Sequence, residues 1–239
     1  MKSESLISIG EAAMRLGVSI DTLRRWDKSG KLIAIRKNNI RYYFEKDIDI
    51  FLNKLSAIAF DWAYTKIAIE IPNTFYCKDS FVFQSRLEKM QNALIEKKNF
   101  NNILSFLVAI AGEIGNNSFD HNLGNWPDVP GIFFGYDINK KEIVLADRGQ
   151  GILKTLQRVE PDLNNYRDAL QIAFTEVISG RSPEERGNGL KFVRKIILKN
   201  PINLFFQSGD YQLEIKQNVD IDIKKSKQFI RGCIAIIKF

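Results

Sequence analysis

Histidine and cysteine are nearly absent: 239 residues hold one histidine, His121, and two cysteines, Cys77 and Cys233. None of the three stands at a metal-binding spacing from another, which argues against a zinc site, and two isolated cysteines do not make a disulfide framework. Both read as reduced thiols in a packed interior. No uninterrupted apolar run reaches membrane-spanning length, and the opening Met1-Lys2-Ser3-Glu4-Ser5 is polar rather than a secretory leader. The expectation is a soluble, cytoplasmic protein with no membrane contact. Internal repeats and low-complexity tracts are also missing. What remains, 45% hydrophobic and 26% charged, is an ordinary globular composition. The net charge of +7 admits a polyanion as partner.

The stretch that organises the chain is Ala111-Gly112-Glu113-Ile114-Gly115-Asn116-Asn117-Ser118-Phe119-Asp120-His121, at the end of an apolar run from Ile103 to Ile110. Length and spacing favour a helix, on which Glu113, Asn117 and His121 share one face. Two glycine-containing stretches follow. Ile143-Val144-Leu145-Ala146-Asp147-Arg148-Gly149-Gln150-Gly151 reads as a strand entering a turn, and Arg186-Gly187-Asn188-Gly189-Leu190 opens an amphipathic helix.

In order and spacing these three stretches resemble the N, G1 and G2 boxes of the GHKL (Bergerat-fold) ATPases, over roughly residues 80 to 239. The resemblance implies ATP and Mg2+ as cofactors. Glu113 is then the general base that orients a water, and Asn117 the Mg2+ ligand through its amide oxygen. Asp147 accepts from the adenine amino group, while Gly149 and Gly151 let the backbone approach the base. Gly187, Gly189 and Leu190 form the phosphate-facing helix start, with Arg181, Arg186 and Lys191 as weaker phosphate candidates. The polar stretch from Ile152 to Glu185 corresponds to the family's lid. Cys233 stands where many relatives carry a threonine near the base. Each residue also has a plainer reading: a surface glutamate, a capping or buried asparagine, a strand-end turn aspartate. The lone His121 leaves none for a separate phosphoacceptor helix, so a histidine kinase is not expected.

The first 56 residues form a separate pattern. Ser8-Ile9-Gly10-Glu11 is a capping box, Gly17 breaks the first helix, and Ser19 caps a second that runs from Ile20 to Lys28. Leu32 to Ile35 and Arg41 to Phe44 flank Lys37-Asn38-Asn39 as a hairpin wing. Two short helices about a glycine turn read as a helix-turn-helix. With Leu16-Gly17-Val18-Ser19, Thr22-Leu23-Arg24-Arg25-Trp26 and Gly30-Lys31-Leu32, the segment resembles the winged helix of MerR-type regulators and phage excisionases. By that resemblance Thr22, Arg24, Arg25 and Lys28 face the major groove of double-stranded DNA, and Arg36, Lys37, Arg41 and Tyr43 clamp phosphates. The alternative is a solvated basic face around a core Trp26.

The expected fold is α+β: a winged helix-turn-helix over residues 1–56, a linker and entry segment over 57–80, and a GHKL-type sandwich over 81–239. In the sandwich a mixed, largely antiparallel sheet carries helices on one face. Lys46 to Phe60 reads as one helix and Lys66-Ile67-Ala68-Ile69-Glu70-Ile71 as a strand. The expected function is a regulator in which an ATP-binding module with slow hydrolysis controls the winged helix, acting as a homodimer on DNA or with a protein partner. Two alternatives stand beside it: an anti-sigma-type serine/threonine kinase, and a nucleotide-dependent partner-binding module of a mobile element or defence system.

Overall fold

A computed structural model describes residues 5–52, 54–97, 99–176 and 189–239. The chain begins with β1 (Leu6–Ser8), α1 (Ile9–Leu16), α2 (Ile20–Lys28), β2 (Ile35–Lys37), β3 (Ile40–Phe44) and α3 (Glu45–Leu52). The expected capping box starts α1: Ser8 N–H donates to Glu11 Oε2 at 2.8 Å and Glu11 N–H donates to Ser8 Oγ at 3.2 Å. Such a pair satisfies two of the donors that a helix start leaves open. Ser19 caps α2 by accepting from Thr22 N–H. The wing turns at Asn38 and Asn39, both with positive φ, the backbone that matches a hairpin's twist and that asparagine tolerates. Strand β1, which the sequence pattern did not suggest, joins the wing to make the sheet β1-β3-β2.

The chain continues with α4 (Leu55–Tyr64), β4 (Tyr76–Cys77), α5 (Ser80–Glu96), α6 (Leu104–Asn122), β5 (Ile132–Asp137), β6 (Glu142–Asp147), α7 (Gly151–Leu156), α8 (Tyr166–Thr175), α9 (Gly189–Lys199), β7 (Asn203–Lys216) and β8 (Val219–Lys238). Five of these strands form one sheet in the order β4-β5-β6-β8-β7. Every pair in it is antiparallel, so the sheet is not mixed as expected. Alternate residues along a strand face opposite sides, and both sides are apolar here. Phe134 and Leu145 pack beneath α5, α6, α8 and α9, with Phe83, Ile110, Phe174 and Val193. Phe133, Val144 and Ala146 face the other way and meet Leu55, Ile58, Ala59 and Trp62 of α4.

Helices therefore cover both faces of the sheet, which corrects the one-sided expectation. The physical reason is the second row of buried apolar side chains, each of which is stabilised by roughly 1.5–3 kcal/mol when removed from water. The stretch read as a linker over 57–80 holds most of this covering helix. The single helix expected over Lys46 to Phe60 is two, α3 and α4. No strand forms over Lys66 to Ile71. That segment instead passes along the winged helix as irregular chain, and just after it Asn73 N–H donates to the Gly17 carbonyl. One apolar cluster thus reaches from Leu16, Leu23 and Trp26 through α4 to Ile230 and Ile234 on the sheet. No helix among the described residues is long and apolar enough to cross a membrane.

Candidate functional site

Helix α6 brings its polar residues to the end of the sheet where β6 runs out. A small cleft of about 40 Å3 opens there, lined among others by Asn117, Ser118, His121, Asp147, Gly151, Leu190 and Cys233. Asp147 lies at its floor, only 3% exposed. Its Oδ2 accepts from the Ser118 hydroxyl at 2.8 Å and its Oδ1 from Gly149 N–H at 2.8 Å. Burial pushes the carboxyl up to about 6, against the opposing pull of hydrogen bonds from Gly149, Ser118 and the Cys233 backbone. With these three bonds made, the carboxylate keeps lone-pair capacity for one further N–H donor.

The glycine stretches meet α6 at close quarters. A Cβ on Gly149 would overlap the Asn122 carboxamide. Asn122 Oδ1 in turn accepts from Gln150 N–H at 2.7 Å, and its amide donates to the Ser118 carbonyl at 2.8 Å. Gly151 has a φ of 75°, and a Cβ there would stand 2.9 Å from Ser208 Oγ, so the turn demands glycine twice over. At the start of α9, a Cβ on Gly189 would touch Glu113 Oε2 and lie 3.4 Å from Asn117 Nδ2. Glu113 and Asn117 are therefore one turn apart on α6 and face the first residue of α9, the end where a helix favours anions. Glu113 sits beyond the cleft lining, nearer α9 than Asp147.

Lys191 is 7% exposed, and burial pulls its ammonium below the ordinary lysine value while Glu176 partly offsets this. Burial, together with the Asp147 charge, pushes the Cys233 thiol well above its ordinary range; its Sγ lies 3.6 Å from Ser208 Oγ. Arg181, Arg186 and Gly187, and part of the expected lid, lie outside the described residues.

Just past the end of β6 stands Arg148, fully buried. Its Nε and Nη2 donate to Asp128 Oδ2 at 2.9 and 2.6 Å, Nη1 donates to the Trp62 carbonyl, and Nη2 reaches the Lys66 carbonyl at 3.4 Å. The residue next to Asp147 is thereby tied to the end of α4.

In the N-terminal domain α2 and the wing form one exposed basic edge. Arg24, Arg25, Lys28, Arg36 and Lys37 are all exposed. Arg24 pairs with Asp21 at 2.8 Å and Arg36 with Asp27 at 3.4 Å. Residues 8–43 match the MerR family regulatory protein. The N-terminal segment is therefore a MerR-type DNA-binding helix-turn-helix. A 46-residue stretch is also 48% identical to the type II methyltransferase M.Eco47II of Escherichia coli, covering 18% of this chain and 11% of that protein. The chain spans about a tenth of the length of that relative.

Within the MerR-like domain two expected phosphate clamps are placed otherwise. Tyr43 is fully buried and donates from its hydroxyl to the Leu23 carbonyl at 3.2 Å, a core contact beneath α2. Arg41 is mostly covered and donates to Asp27 Oδ2 at 2.7 Å, tying the wing to α2. That bond, with the Ala34 N–H, holds the Asp27 carboxyl below its ordinary value. Thr22 is also buried, and Glu70, from the segment after α4, accepts from its hydroxyl. Sequence reasoning missed Ser118, Asn122, Arg148 and Glu70. Ser118 and Asn122 were visible as a second pair four residues apart, one position along from the first on α6. Arg148 stood inside a motif quoted for its neighbours. Nothing local marks Glu70, whose partners are about 50 residues away.

Proposed function

We propose that this protein is a DNA-binding regulator in which an ATP- and Mg2+-binding module of GHKL type controls a MerR-like winged helix, with slow ATP hydrolysis. The observation that carries the reading is the cleft floored by Asp147, where the Asp-x-Gly-x-Gly turn, the α6 residues and the start of α9 converge. The residues present fit the cofactors. Asp147 is a buried acceptor at the cleft floor, Asn117 offers a hard oxygen donor suited to Mg2+, and the N-terminus of α9 favours phosphate oxygens. Mg2+ would supply charge neutralisation between phosphate oxygens. Asp147 would select the base and Asn117 hold the metal. Glu113 would orient the attacking water and accept its proton.

Control of the winged helix is supported by the path from Asp147 through Arg148 to the end of α4, and by the apolar cluster that α4 shares with α2. A short winged-helix site gives limited specificity, so a homodimer on DNA, or a protein partner, completes this reading. Incubation with labelled ATP, with and without cellular extract, tests it. Free phosphate supports the ATPase, labelled protein indicates the serine/threonine kinase, tightly held intact nucleotide indicates a sensor, and no bound nucleotide refutes the module.

A further inference from the structure

The first turn of α2 is already occupied by an anion that belongs to the chain. Glu70 Oε1 accepts from the Ser19 N–H at 2.8 Å, and Oε2 accepts from Ser19 Oγ at 3.2 Å and from the Thr22 hydroxyl. Arg25 Nη2 stands 3.8 Å from Oε2 and also donates to Thr22 Oγ1 at 2.8 Å. A backbone N–H at a helix start, two hydroxyls and a guanidinium are a donor set suited to a phosphodiester oxygen. The carboxylate takes the Ser19 N–H and both hydroxyls, Thr22 among them, and stands beside the exposed Arg25 guanidinium, so an incoming phosphate meets a site where a negative charge already sits.

Glu70 is not a freely swinging side chain. It rides on a segment fastened at both ends by arginines: Arg148 holds the Lys66 carbonyl at one end, and Arg86 donates to the Asn73 and Thr74 carbonyls at 2.5 and 2.7 Å at the other. Ile69 and Ile71 anchor it between those points in the apolar cluster. An anion delivered intramolecularly is present at high effective concentration, so it competes well with a phosphate arriving from solution. Arg24, Lys28 and Lys37 stay exposed, which leaves DNA binding weakened rather than abolished.

We propose that Glu70 is an autoinhibitory contact, which duplex DNA must displace from the first turn of α2 before that helix can engage phosphate. The proposal rests on the reading of α2 as the DNA helix. Its test is the affinity of a fluorescent mixed-sequence duplex for the full chain and for Glu70→Gln, measured from ~50 to ~200 mM salt. A control variant, Glu88→Gln, removes one negative charge from an exposed position on α5.

Freeing one phosphate contact should tighten binding by Glu70→Gln roughly tenfold and steepen the salt slope by about 0.9, with Glu88→Gln within about twofold of wild type. Adding Arg25→Ala to Glu70→Gln should cancel the gain. Circular dichroism on each variant checks that α2 remains folded. A gain in Glu70→Gln no larger than in Glu88→Gln overturns the autoinhibitory contact. In that case Lys37→Ala shows whether DNA reading survives, because it weakens binding wherever the basic edge is the interface. Absence of duplex binding by wild type and Glu70→Gln alike overturns both the DNA reading and the contact.

Discussion

Replacing Asp147 by asparagine should make the protein more stable and a worse binder of ATP at once. The carboxyl is buried at the cleft floor and held at about 6, against 3.8 for an ordinary aspartate. A carboxyl whose folded value lies above its unfolded value imposes no cost below about pH 4. The cost grows as pH rises through the folded value, and is constant above it. At about 1.4 kcal/mol per pH unit, the full cost near neutrality is about 3 kcal/mol. A carboxamide in its place cannot ionise and escapes that cost. The amide oxygen can keep the Gly149 N–H, and the amide nitrogen can donate to Ser118 Oγ, whose hydroxyl has the Ile114 carbonyl as an alternative acceptor at 3.3 Å. Allowing about 1 kcal/mol for one hydrogen bond weakened in the exchange, the net gain is about 2 kcal/mol. In a chain of this size that is a rise of roughly 4–8 °C in Tm. The amide would present a donor where a base amino group needs an acceptor, so ATP affinity should fall by at least about tenfold, the equivalent of roughly 1.5–3 kcal/mol for a charged hydrogen bond. Thermal melts at about pH 7.5 and about pH 4.5 with calorimetry for ATP make the test, and the stability gain should shrink to near zero at the lower pH. A gain that is equal at both pH values, or a less stable Asp147→Asn at neutrality, would refute the account of the buried charge; unchanged ATP binding would take Asp147 out of the base pocket.

Glu113→Ala should keep nucleotide affinity while phosphate release drops by roughly 10²- to 10⁴-fold, whereas Asn117→Ala should lose both; normal turnover in Glu113→Ala would remove it as the base. Arg24→Ala should relax sequence preference in a DNA-binding selection, and Lys37→Ala should weaken binding evenly across sequences and flatten the salt slope by about 0.9. Arg148→Ala leaves the Trp62 carbonyl and Asp128 without their buried partner. Denaturant unfolding should show a loss of roughly 3 kcal/mol, the lower end for a broken buried pair, because Asp128 keeps Arg231 at 3.3 Å.

Local signals in the sequence were read correctly where the structure is locally determined. The Ser8 to Glu11 capping box, the Ser19 cap and the Gly17 break each depend on donors within a turn, and each is present as expected. The wing follows from two short strand patterns about a turn. At the cleft, the four-residue spacing on α6 and the glycine stretches were legible because helical geometry and close approach leave a residue-level trace. Tyr43 was misplaced for the opposite reason. A tyrosine between basic residues on a wing fits a phosphate contact or a buried hydroxyl equally well, and only the position of the Leu23 carbonyl, 20 residues earlier, decides.

The stretch from Leu55 to Thr74 was the least legible, and it is where the two halves of the molecule meet. Helix α4 buries one stripe, Leu55, Ile58, Ala59, Trp62 and Ala63, and leaves Asp61 exposed, but the partners of that stripe lie on the wing domain and on the distant strands β5, β6 and β8. The alternation in Lys66-Ile67-Ala68-Ile69-Glu70-Ile71 is real: Ile69 and Ile71 join the apolar cluster while Glu70 turns to α2. Period-two patterning marks chain with two distinct sides, and a strand partner is only one way to use them. Here one side meets the apolar cluster and the other meets a helix start. Arg148 fastens one end of this segment next to Asp147, so the residue beside the cleft floor and the carboxylate at the start of α2 belong to one short, tethered stretch of chain.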